Sequence, residues 1–326
     1  MAKEQGPIVV GVDGSPASRR AVALAWRIAK AARADLVPVH AVPDLWLAEG
    51  LEQGPELPPQ IHEALIRDAR TGIERFLKAV LPPAARRHLE VRTGPAAIAI
   101  AEVARRRQAG LVVIGGRHHG TLARAAGRST AHYLVRQLDV GLLVVGQSAV
   151  PPARLLAAVD LSATSAPTLK AAQGFADLLG ARLRIVHVVQ PLRFMFGLVD
   201  ALDQRGFEER SRQAFDRLTE PLGKVGPEDR VLRVGPVAES LLAEAAGWPA
   251  DLIVVGSHGK GFVERVLIGS TTERLVNALP ASLLVIPTWP ARKPARALAR
   301  PRRRPTSGRA WSRSASLRER ASRTRR

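Results

Sequence analysis

The feature that most constrains this chain is that it carries the same unit twice. Asp13 and Asp160 stand 147 residues apart, as do His40 and His187. Gly94 and Gly235, Gly115 and Gly256, Ser129 and Ser270, and Leu142 and Leu283 all stand 141 apart. The offset changes once, so the second copy is six residues shorter in its middle. A tandem duplication of a unit of about 140 residues means that whatever fold one copy adopts, the other adopts too. Domain boundaries are expected at 5–148 and 152–288, with a separate tail at 289–326.

Each copy alternates strand and helix signals. Ile8–Val12 is a short apolar run ending at Asp13, followed by Ser15 as a helix N-cap and Pro16 at the first helical position. Ala21, Leu24, Ala25 and Ile28 then recur at helical spacing. Strands are expected at 36–42, 89–92, 111–114 and 142–145, with helices at 61–80, 97–108 and 129–138. From Leu155 the order returns: a strand to Asp160, Ser162 in the place of Ser15, and a helical face of Leu169, Ala172, Ala176 and Leu179. Continuous apolar strands joined by helices predict two doubly wound, parallel five-stranded sheets with helices on both faces. In such sheets ligands bind beyond the carboxyl ends of the strands, where the strand order reverses.

Composition narrows the function classes. The net charge of +20 is concentrated at one end: residues 1–150 carry +7, residues 151–287 carry zero, and residues 288–326 carry +13. The basicity is therefore a property of the tail, which lacks apolar periodicity and is expected to be disordered. Such a tail could hold RNA, DNA or an anionic membrane by charge alone, or be an unselected extension; sequence leaves these open. There are no cysteines, which excludes disulfides and thiolate metal sites. No apolar run reaches the roughly 18 residues of a membrane helix. Residues 1–7 are polar and lead straight into a strand, so a cytoplasmic location without membrane attachment is expected.

One stretch of the second copy carries ligand-like chemistry. In 251–272, a buried strand ends at Gly256-Ser257-His258-Gly259-Lys260-Gly261, and Gly269-Ser270-Thr271-Thr272 opens a helix. Glycines let backbone approach a ligand, and a helix N-terminus presents free N–H groups and partial positive charge, a geometry that suits phosphate. The spacing Gly256-x2-Gly259-x9-Gly269-Ser270, together with Asp160 at a strand end, resembles the ATP-binding pattern of the universal stress protein family. The resemblance spans about residues 5–287. It implies a Rossmann-like fold of the adenine nucleotide alpha hydrolase type, with ATP or another adenine nucleotide as ligand and any Mg2+ carried without protein ligands. It implies contacts from Asp160 to the nucleoside, from Val188 to adenine, and from Gly256, Gly259, Gly269 and Ser270 to phosphate, with Ser257, His258, Thr271 and Thr272 beside them. For Val188 the plain alternative is a core valine. The family's habit of pairing domains through their last strands implies an intramolecular pseudo-dimer through 142–145 and 283–286, with further homodimerisation left open.

The first copy departs from the pattern. Aligned without gaps, His118 falls on Gly259 and Arg128 on Gly269; a one-residue slip restores Gly120 and Gly127. A weak or degenerate site is expected there, built on Asp13, Gly115, Gly116, Gly127, Ser129 and Thr130. His118, His119 and His132 lack a carboxylate at ligand spacing and read as surface histidines; no metal site is expected. Trp46, Phe194, Met195 and Phe196, in the variable segments, read as packing against the sheet. No nucleophile–base pair or paired carboxylate stands out. The family resemblance implies a nucleotide-dependent regulator of the stress response rather than a dedicated enzyme, consistent with that absence. A slow ATP-hydrolysing or adenylate-using enzyme of the same fold, and a nucleic-acid binder acting through the tail, are the alternatives.

Overall fold

The computed structural model describes residues 6–43, 59–116, 130–147, 151–191, 204–258 and 269–288. In the first repeat β1 (Ile8–Gly11), β2 (Leu36–Val42), β3 (Glu90–Thr93), β4 (Leu111–Gly115) and β5 (Gly141–Val145) alternate with α1 (Pro16–Ala32), α2 (Pro59–Lys78), the single turn α3 (Pro83–Arg86), α4 (Ala96–Arg106) and α5 (Thr130–Gln137). The second repeat supplies β6 (Arg154–Val159), β7 (Arg182–Val189), β8 (Arg230–Val234), β9 (Leu252–Gly256) and β10 (Ser282–Ile286), with α6 (Ser165–Leu179), α7 (Gln204–Thr219), α8 (Val237–Gly247) and α9 (Ser270–Ala278).

The sheet order is β3-β2-β1-β4-β5-β10-β9-β6-β7-β8. Among the described strands every pairing within a repeat is parallel, and β5 pairs antiparallel with β10. The two sheets expected from sequence are thus halves of one ten-stranded sheet, fused through their last strands. The register there is Val144 against Leu283, Leu143 against Leu284 and Leu142 against Val285. Leu143 and Leu284 are repeat equivalents, so the pseudo-two-fold axis passes through that pair. Fusion removes the two apolar edges that each repeat alone would expose.

A strand buried on both faces needs apolar residues, and β1, β4, β5, β9 and, after Ser282, β10 provide them. Side chains alternate between two cores. One holds Val10, Leu24, Leu143, Leu155, Phe215 and Leu284; the other holds Val9, Leu134, Leu156, Leu241, Ile253 and Leu275. Each core runs across both repeats. α1 starts as its sequence dictates: the Ser15 hydroxyl accepts the Ser18 N–H at 3.1 Å, and Pro16 occupies the first turn.

Positive backbone φ repeats with the chain. Gly94 (98°) matches Gly235 (152°), and the helix C-caps Arg33 (54°) and Gly180 (67°) match each other. Gly14 (77°) matches Leu161 (60°), where a leucine holds a conformation that favours glycine.

Candidate functional site

In the second repeat β6 lies between β9 and β7, which is where the strand order reverses. The carboxyl ends of β6 and β9 are adjacent, because Ala157 pairs with Val254 in a parallel register. Asp160 and Gly256 therefore emerge side by side, as the repeat logic requires. The same argument brings Asp13 and Gly115 together in the first repeat, where Val10 pairs with Val113.

Asp160 organises the turn into α6. Its Oδ1 accepts the Ser162 N–H at 3.0 Å, the Ser162 hydroxyl at 2.6 Å and the Ser165 hydroxyl at 2.9 Å. These bonds hold the turn in which Leu161 takes its left-handed conformation, a strain of roughly 1–2 kcal/mol for a residue with a side chain. The sequence signal for this strain was Gly14 at the equivalent place. Behind the turn, Val159 offers its carbonyl to His187 Nδ1 at 2.8 Å, and Val12 does the same for His40 at 2.8 Å. Both histidines are thus strand-end residues that tie β2 to β1 and β7 to β6. His187 is buried.

Gly256 ends β9 against two threonines. A Cβ placed there would lie 2.8 Å from Thr288 Cγ2 and 3.4 Å from Thr168 Oγ1. Beyond it, Ser257 is wholly buried and His258 nearly so. The Ser257 N–H donates to Ile286 O at 2.8 Å, and its hydroxyl oxygen accepts the Thr288 N–H at 3.1 Å. The same hydroxyl lies 3.1 Å from both Thr288 Oγ1 and His258 Nδ1. Burial holds the His258 imidazole below its ordinary pKa, so it is neutral at pH 7.

The second glycine of this region closes on the first. The Gly269 N–H donates to Ser257 O at 3.1 Å, and the Thr272 hydroxyl donates to Gly256 O at 2.9 Å. Residues 257 and 269 are twelve apart in sequence but hydrogen-bonded in space. Gly269 is the N-cap of α9 and offers no side-chain cap, while its carbonyl accepts the Glu273 N–H at 2.9 Å. The N–H groups of the first turn, Ser270 to Thr272, have no helical acceptor by geometry and carry the positive end of the helix dipole. Ser270 is exposed and Thr271 half-buried. The hydroxyls of Ser257 and Thr272 serve the scaffold of the loop. Val188 is buried on β7 among Val186, Ile253 and Val255. Gly259, Lys260 and Gly261 lie outside the described residues.

The first repeat presents a different lining. The polar positions Thr164, Thr168, Ser257 and Thr272 correspond to Ala17, Ala21, Gly116 and Ala131. A Cβ at Gly115 would lie 2.6 Å from the Ala17 carbonyl carbon, so glycine is required there for α1 to sit against β4. A Cβ at Gly116 would lie 2.1 Å from Leu279 Cδ2 of the second repeat. Gly116 thus belongs to the junction between repeats. Asp13 keeps one of the equivalent bonds, accepting the Ser15 N–H at 2.9 Å, and Thr130 opens α5, half-buried. Gly120, Gly127, Arg128, Ser129, His118 and His119 lie outside the described residues, as do Trp46, Phe194, Met195, Phe196 and the tail from 289 onward.

A family model described as the universal stress protein family matches the chain twice, over residues 6–146 and 153–287. The chain belongs to the universal stress protein family. A universal stress protein of Mycobacterium tuberculosis strain H37Rv is 29% identical over 309 residues, covering 87% of this chain and 96% of that relative. A Thermus aquaticus family member is 32% identical over 138 residues, 40% of this chain and 96% of its own length, which is one repeat. Among solved structures, a universal stress protein from Archaeoglobus fulgidus DSM 4304 superposes with a TM-score of 0.62 at 16% identity, covering 88% of this chain and 98% of that one. That likeness confirms the tandem mixed α/β fold. For this universal stress protein, no described helix is long and apolar enough to cross a membrane. No group of three or more His, Cys, Asp or Glu residues that could hold a metal ion occurs among the described residues.

Proposed function

We propose that this universal stress protein binds one adenine nucleotide, ATP or a close relative, in its second repeat, and acts as a nucleotide-dependent regulator of the stress response rather than as a dedicated enzyme. The observation that carries the reading is the closure of Gly269 onto Ser257 beside the Asp160 turn. That closure supports the reading because the N-terminus of α9 then lies by the end of β9, next to the reversal point of the sheet, where backbone N–H groups and dipole favour a phosphate chain. Asp160 stands across the crevice on the adjacent strand, at the nucleoside end. Val188 lines the neighbouring strand through its backbone. Any Mg2+ would be held by the phosphates.

The first repeat is a degenerate partner. Its alanines replace hydroxyls and Gly116 is engaged with Leu279, so Asp13, Gly115 and Thr130 keep their places without a full site around them. The two repeats then act as an intramolecular pseudo-dimer with one working half. Cytoplasmic location and further homodimerisation are part of the same reading.

Isothermal titration of the full chain with ATP tests the site. Asp160→Ala and Gly259→Val are each expected to weaken binding by about tenfold or more, the loss of one or two good polar contacts or of close backbone approach. Unchanged affinity in both variants would contradict the site assignment.

A further inference from the structure

We propose that Thr288 is a positioning residue for nucleotide binding, pinning the root of the glycine loop from the exit of β10. The inference rests on the nucleotide reading above and adds a residue that the glycine pattern does not contain. Three observations carry it. First, the Thr288 methyl occupies the space that a side chain on Gly256 would fill, at 2.8 Å from the Cβ position. Gly256 is therefore a glycine partly because Thr288 sits in its hollow. Second, the Thr288 hydroxyl gathers the first two loop residues: it accepts the His258 N–H at 3.2 Å, lies 3.1 Å from Ser257 Oγ and 3.4 Å from the His258 carbonyl oxygen. Third, the Thr288 N–H donates to Ser257 Oγ at 3.1 Å, so backbone and side chain of one residue both hold Ser257, and the side chain holds His258 as well.

The first repeat shows what the loop root looks like without the pin. Gln147 stands at the position of Thr288 and Gly116 at that of Ser257, so neither hydroxyl is present. The glycine closure at Gly269–Ser257 depends on where Ser257 is held, and Thr288 holds it. Removing the hydroxyl while keeping the shape should leave the strands intact but let the loop root wander, reducing the fraction of molecules in the binding geometry.

Thr288→Val removes the hydroxyl and keeps the methyl; Thr288→Ser keeps the hydroxyl. Amide hydrogen exchange of nucleotide-free full-length protein and ATP titration are measured on both and on wild type. In Thr288→Val, the His258 amide is expected to exchange at least about tenfold faster and ATP affinity to fall about tenfold, the factor for one hydrogen bond near 1.4 kcal/mol. Thr288→Ser should stay within about twofold of wild type in both, a rescue that a purely steric role would not give. An unchanged His258 amide in Thr288→Val overturns the pin. A faster amide with wild-type ATP affinity overturns its role in binding while leaving the nucleotide reading intact. Failure of wild type to bind ATP overturns the nucleotide reading and this role with it.

Discussion

Leu161 and Gly14 show how much a single backbone angle constrains. Both follow the strand-end aspartate and both have positive φ, yet one carries a side chain and the other does not. Gly14 has open space where a Cβ would go, so Gly14→Ala tests the angle alone. It should cost roughly 1 kcal/mol in urea unfolding, the left-handed penalty without a steric clash. In the second repeat the angle is held by Asp160, whose carboxylate takes three hydrogen bonds. Among the described residues, His258 and Glu90 contribute to the acid response. His258 is held below 6.5 by burial, so the unfolded chain takes up a proton that the folded chain refuses. Its contribution is complete above about pH 6.5 and is lost as pH falls from there toward the lowered value. Burial pushes Glu90 up, but hydrogen bonds from Arg92, Arg107 and Arg106 together outweigh it and hold its carboxyl below 4.5. Glu90 therefore adds a further loss as pH falls through the carboxylate range. Unfolding free energy measured from pH 8 to pH 4 should decline in two stages, and His258→Asn should flatten the upper one.

Strand ends matter more than strand interiors in this molecule. Gly115 and Gly116 are neighbours with different duties: one admits α1 against β4, the other admits Leu279 at the repeat junction. The first clash is with backbone and the second chiefly with a flexible side-chain tip. Gly115→Ala should therefore cost more, about 1–3 kcal/mol by overpacking, and Gly116→Ala less, in the same denaturant assay. Most elements were legible in the sequence because two independent signals agreed, apolar runs and the repeat offset. The expected strand at 36–42 coincides with β2, and the helix expected at 129–138 became Thr130–Gln137. The fusion of the sheets was implied by the family resemblance, and the apolar last strands at 142–145 and 283–286 agree with it, since such edges need cover. What was not legible arises from contacts between segments far apart in sequence. Thr288 reads as an ordinary residue after a strand until it is seen filling the hollow of Gly256, and Thr168 reads as a helix residue until it is seen beside the same glycine. Leu161 was hidden for a different reason: only its equivalence to Gly14 betrays its conformation, since leucine gives no local sign of it. In the candidate site, the glycine spacing and Asp160 were visible, while the scaffold role of the buried hydroxyls of Thr168, Ser257 and Thr272 required the fold.

At the scale of the whole molecule, symmetry and its violation are both built into one sheet. The axis through Leu143 and Leu284 makes the scaffold symmetric, and both side chains are fully buried. Leu143→Ala and Leu284→Ala should cost similar amounts, about 2–5 kcal/mol each, as core truncations. Because the two leucines face each other, the double variant should deviate from additivity by about 0.5 kcal/mol or more. Additive losses in denaturant unfolding would argue against direct packing across the axis. The violation lies around the strand ends, hydroxyls in the second repeat against Ala17, Ala21, Gly116 and Ala131 in the first, and it leads to a proposed stoichiometry that neither repeat alone implies. Native mass spectrometry of the intact chain titrated with ATP measures it most directly. The account predicts a single bound nucleotide per chain at saturation, displaced to lower occupancy by Asp160→Ala and unaffected by Asp13→Ala. Two equivalent nucleotides per chain, or none on a folded sample at millimolar ATP, would contradict it.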